Sequence, residues 1–159
     1  EAFRRSLTRT HEDVQGLLKE AATLHTETTR QQARLHIRST VRNVGAGHAL
    51  PTGPLDQRHM WLEVRVTTQD GRELFHQGGL NLETGQLDPA AVRWVKLMLG
   101  ADGRPDLRHL LFDVDRLVYP RKPIPAGGAD RADFEVAAII TLVLGFNLLA
   151  DGLQVEVKL

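Results

Sequence analysis

The segment Gly45-Ala46-Gly47-His48-Ala49-Leu50-Pro51-Thr52-Gly53 places one histidine in a loop punctuated by glycine and proline. The glycines open backbone angles closed to other residues, while Pro51 fixes its own φ and biases Leu50 toward an extended conformation. The loop is shaped rather than slack, and a neutral imidazole carried on it is a candidate ligand for a metal or haem iron. A local hydrogen bond that braces the turn is the simpler role for the same side chain. His59 lies just past the loop, on the strand face opposite Met60, and spacing makes it a second candidate for the same cofactor site. Arg58 beside it carries a planar fork of donors that matches carboxylates such as haem propionates. Arg38 and Arg42 offer the same chemistry on the preceding segment, where a solvated basic face is the simpler account.

Other chemistries are poorly represented. The remaining histidines, His11, His25, His36, His76 and His109, lack the short spacing of a zinc site. Asp102, Asp106, Asp113 and Asp115 lack the ordered D-x-D-x-D-G ligand loop of a calcium site. The sequence has no cysteine, which removes disulfides, thiol catalysis and C-x-x-C-H haem attachment from these residues. There is no G-x-S-x-G elbow and no phosphate loop, and His11-Glu12 is followed by Asp13-Val14, so the H-E-x-x-H pattern fails. An enzyme is not expected. Twenty basic residues balance twenty acidic ones, so no global field recruits nucleic acid or an anionic membrane. The chain opens at Glu1 without an initiator methionine or a charged-then-apolar leader, which reads as a mature or partial product.

The elements that must position the loop follow from periodicity. Phe3, Leu7, Val14, Leu17, Leu18, Ala21 and Leu24 recur at helical spacing and predict an amphipathic helix over residues 1–29. Leu35, Ile37 and Val41 alternate with His36, Arg38 and Arg42, the two-residue period of a half-buried strand with a basic outer face. Leu62, Val64 and Val66 alternate with Trp61, Glu63 and Arg65, and Asp70-Gly71 predicts a hairpin into Glu73 to Gln77. Val92 to Leu99 predicts a short strand or helix inside a long connection, and Leu110 to Tyr119 a strand. Pro120, Pro123 and Pro125 with Gly127-Gly128 cannot lie inside a sheet. Ala132 to Val136 and Leu153 to Leu159 supply the last strands. The fold expected is mainly β: an Ig-like or jelly-roll-like β-sandwich over 30–159, preceded by the helical segment. The apolar run Val136 to Ala150 is shorter than the roughly 20 residues that span a bilayer, so it reads as buried strand, and the chain as not membrane-spanning.

Taken in order, the helix, the basic strand, Asn43 to Gly53, Arg58, the Trp61 strand, Asp70-Gly71 and Ile124-Pro125-Ala126-Gly127-Gly128 resemble the β-rich domain that follows the haem-binding portion of some bacterial multihaem c-type cytochromes. The resemblance covers about Glu1 to Val136 and rests mainly on the His48 loop. It implies extracytoplasmic electron transfer, in the periplasm or outside the cell, as part of a larger complex. It implies haem c held by a partner chain or by another segment, with His48 as its axial metal ligand. The departure is the missing C-x-x-C-H: no haem is covalently attached to these residues. A haem-free structural module that docks on a partner protein is the alternative reading.

Overall fold

The computed structural model describes residues 2–53, 58–105, 111–137 and 153–158. Helix α1 spans Ala2–Ala21. It stops earlier than its apolar spacing predicts, and Ala22–Gln31 forms strand β1 instead of the end of the helix. Thr23, Thr26, Thr28 and Thr29 explain the difference, since β-branched side chains lose rotamer freedom in a helix and fit a pleated surface. The neighbouring strand β2, Arg34–Asn43, then offers every residue of β1 an antiparallel partner, from Ala22↔Asn43 to Gln31↔Arg34. Tertiary pairing overrides the 3.6-residue period that continues to Leu24.

Strand β3, Met60–Thr68, turns into β4, Glu73–Gln77, through Gly71 at φ 84°, with the Gly71 N–H donating to the Thr68 carbonyl at 2.9 Å. Asp70-Gly71 therefore makes the predicted hairpin. Strand β5, Val92–Trp94, pairs with the first residues of β3. Strands β6, Leu97–Leu99, and β7, Arg116–Val118, form a separate two-stranded sheet. The predicted strand from Leu110 to Tyr119 is thus corrected: Leu111–Asp113 is a 3-10 turn, only three residues of β7 pair, and Asp113 and Asp115 suit strands poorly. Strand β8, Ala129–Ala137, pairs with β2 from Ala129↔Arg42 to Ala137↔Arg34, and β9, Leu153–Lys158, pairs with β3.

The two larger sheets are β1-β2-β8 and β3 with β4, β5 and β9. Leu35, Ile37 and Val41 of β2, Ala132, Phe134 and Val136 of β8, and Leu62, Val64 and Val66 of β3 enclose Trp94 and Ile124 in one core. On the other face of β2, Arg38 is exposed and bonds Asp133 of β8 at 2.8 Å, while Arg34 and His36 reach Glu135. The alternation read from residues 35–42 is the alternation observed. Of the apolar run from Val136 to Ala150, residues 138–150 lie outside the described residues, and so does the reading of them as buried strand. No described helix is long and apolar enough to cross a membrane.

Candidate functional site

The His48 loop begins where β2 ends, at Asn43, whose side chain is fully buried. The Asn43 amide Nδ2 donates to the His48 carbonyl at 2.7 Å and to the Ile124 carbonyl at 3.1 Å. Its backbone joins the same distant turn: the Asn43 N–H donates to Gly128 O at 2.9 Å, and Gly127 N–H donates to Asn43 O at 3.1 Å. Seven residues on, Leu50 and Ile124 exchange both backbone hydrogen bonds, at 2.8 and 2.7 Å. Gly127 sits at φ 70°, a conformation that favours glycine, so the turn closes there with little strain. The two motifs singled out in the sequence, Gly45 to Gly53 and Ile124 to Gly128, are one structural unit.

The other side of the loop is fastened to the helix. Val44 and Gly45 both donate backbone N–H groups to the Ala21 carbonyl at 3.1 Å, which caps the C-terminal end of α1. A Cβ on Gly45 would run into the Glu20 carbonyl, so the close approach requires glycine. The loop is thus pinned between the helix end and the 124–128 turn.

His48 itself is exposed. Its Nδ1 lies 3.1 Å from the Ala49 carbonyl. A carbonyl only accepts, so Nδ1 donates in this contact, and in the neutral ring Nε2 is the nitrogen that carries the lone pair. Fixing one ring nitrogen on a backbone carbonyl is the usual way a protein prepares the other for a metal. Arg58 is exposed at the far end of the loop, and a Cβ on Gly53 would lie 3.6 Å from its Nε. His59 is exposed immediately before β3, and no described hydrogen bond or ion pair joins it to His48. The structure therefore sets Arg58 against Gly53 at the end of the loop, and no described hydrogen bond or ion pair joins Arg58 or His59 to His48.

Of the other histidines, His11 bonds Gln15, His25 lies 3.5 Å from Glu27, His36 faces Glu135, and His76 bonds Glu63 at 2.9 Å. The His76 bond holds the Glu63 carboxyl below its ordinary range. His109 lies outside the described residues. Among the described residues no three His, Asp or Glu side chains are grouped to hold a metal ion.

A second polar unit, unread in the sequence, ties the two sheets beside this turn. Asp130 Oδ2 accepts from Trp94 Nε1 at 2.8 Å and from Arg121 Nη1 at 2.7 Å, and the Arg121 guanidinium lies over the Trp94 ring, 5.6 Å from its centroid. Burial pushes the Asp130 carboxyl up, but donation from Arg121, Trp94 and the Arg131 N–H together outweighs it and leaves the carboxyl below its ordinary range. The available signal was the fixed pairing chemistry of a buried tryptophan, whose indole N–H needs an acceptor.

No protein-family model matches the chain, and no curated protein matches it. Among solved structures, the chain is similar to a penta-heme cytochrome c552 from Thermochromatium tepidum, with a TM-score of 0.60 and 17% sequence identity. The match covers 90% of this chain and 40% of that one, so the chain spans well under half the cytochrome's length. At this identity the likeness is one of fold.

Proposed function

We propose that this domain is an extracytoplasmic β-module of a multihaem electron-transfer assembly, where it covers a haem borne by a partner chain or another segment and supplies His48 as an axial ligand. One observation carries the reading: an exposed imidazole stands on a loop fastened from two sides, with Nδ1–H held by the Ala49 carbonyl and Nε2 in no described hydrogen bond. The fold likeness to a penta-heme cytochrome supports the setting.

The residues fit one axial position and nothing more of a haem c site. A single imidazole satisfies iron from one side, while thioether attachment needs cysteines that this sequence does not contain. His48 would hold the iron, Arg58 at Gly53 would pair with a propionate, and His59 would line the rim. The haem, when bound, supplies one-electron chemistry; the domain's own contribution is ligation, hydrogen bonding and exclusion of water, which tune a reduction potential. Its role is binding rather than catalysis.

A haem-free docking module is the second reading, favoured by Leu7, Val14, Leu17 and Leu18, which α1 leaves exposed. An absorption spectrum of the native material containing this chain separates the two. A Soret band that co-purifies with the chain through every step is expected. Stoichiometric chain without that band contradicts the haem reading and leaves the docking one.

A further inference from the structure

Strand β1 is the edge of its sheet: it pairs with β2 along its whole length and with no other described strand. Its ten residues follow one register without a bulge. They include no proline, glycine or lysine, and on the side of the sheet that faces the core Leu24, Thr26 and the exposed Thr28 are uncharged, Arg30 near the strand's end being the one charge there. Natural sheets blunt their edges with prolines, bulges, lysines or inward charges, because a row of open N–H and C=O groups is a template for another strand. A regular edge of about twice the usual strand length, whose single such device is Arg30 near its end, leaves Ala22 to Thr29 open to pairing.

The order of side chains selects a second copy of the same strand. A two-fold axis perpendicular to the sheet pairs antiparallel residues that share a face, so the axis passes through a residue, not between two. Through Glu27 it would set Glu27 against itself, and through His25 it would set His25 against itself. Through Thr26 it sets His25 opposite Glu27 twice, Thr23 opposite Thr29 and Leu24 opposite Thr28. His25 and Glu27 already lie 3.5 Å apart within one strand, so this register makes a rectangle of alternating donors and carboxylates. It also continues an existing row, because Glu27 is opposite Arg38 and Arg38 bonds Asp133.

We infer that the outer edge of β1 is a homodimer seam, two copies joining antiparallel about Thr26 into one six-stranded sheet. A strand pair alone buries less than a standard interface of roughly 1,600 Å², which makes the dimer weak and concentration-dependent.

The absence of cysteine gives a clean reporter of register. Directly opposite Cα atoms in antiparallel strands lie about 4.5–5.5 Å apart, within disulfide range. In the full chain, Thr26→Cys is expected to form a disulfide-linked dimer under mild oxidation, while Thr28→Cys, whose opposite residue is Leu24, is not. By light scattering, the unmodified chain should move toward twice its monomer mass as concentration rises. His25→Glu should weaken association about tenfold, as two attractive pairs become repulsive, and adding Glu27→Lys should restore it. Monomer mass at every concentration, equal cross-linking at both cysteine positions, or a Thr26→Cys disulfide formed with a different protein would each overturn self-pairing.

Discussion

At the scale of single residues, the domain's polar chemistry is concentrated where its parts join. Asp130 receives the Trp94 indole and the Arg121 guanidinium on one oxygen and thereby ties β8 to β5 and to the proline-rich stretch before Ile124. Its carboxyl is depressed in the folded chain, so the charged form stabilises the fold. That contribution is complete above the unfolded carboxyl's pKa of about 3.9 and is lost as pH falls through the lower folded value. Asp130→Asn is expected to reduce stability at pH 7 and to leave a shallower loss on acidification than in the parent chain. Asp130→Ala, which also strands the Trp94 N–H, should cost about 1–3 kcal/mol. Urea unfolding at pH 7 and pH 3 checks both, and identical acid limbs for parent and Asp130→Asn would remove Asp130 from the account. Asn43 works in the same way without charge. Its two amide donors reach two carbonyls, those of His48 and Ile124, and no apolar residue of similar size can hold both.

At the scale of elements, a loop of nine residues is held by a helix end and by a turn remote in sequence. Gly45→Ala tests the first contact, because its Cβ meets the Glu20 carbonyl and the helix must move away from the loop. The expected cost is about 1–3 kcal/mol, with increased amide exchange at Val44 and Gly45, whose N–H groups bond Ala21. Unchanged exchange there would mean that the helix end does not brace the loop. The strands around this loop were legible because half-burial writes a two-residue period into Leu35 to Val41, Leu62 to Val66 and Ala132 to Val136. The helix end was not, because apolar spacing continues through Leu24 while the threonines answer to a pairing partner. The joining of Leu50 to Ile124 was likewise hidden. Backbone bonds between distant loops leave no periodic trace, and the sequence showed only that each segment was punctuated by glycine and proline.

At the scale of the whole molecule, a two-layer β-sandwich carries at one end a knot made of the α1 terminus, the His48 loop and the 124–128 turn. The sandwich class followed from short alternating strands and turn signals. Which loops would meet at one end is a matter of topology, and no single segment encodes it. The knot gives His48 an unusual independence from the core. Among the described residues the ring bonds only the adjacent Ala49 carbonyl, whereas the loop's hold on the sheet runs through the His48 backbone, Asn43, Leu50 and Ile124. Removing the imidazole should therefore spare the fold and affect only what the imidazole binds. The decisive measurement is a redox titration, followed by electron paramagnetic resonance, of the native material, which the proposal expects to contain haem, with His48→Ala beside the parent. One haem is expected to change spin state and shift in potential, since the axial ligand sets the field at iron, while circular dichroism and thermal unfolding of the β-domain stay close to the parent. Spectra and potentials that superimpose for every haem, with at most the roughly 1 kcal/mol loss of a single hydrogen bond, would contradict ligation by His48.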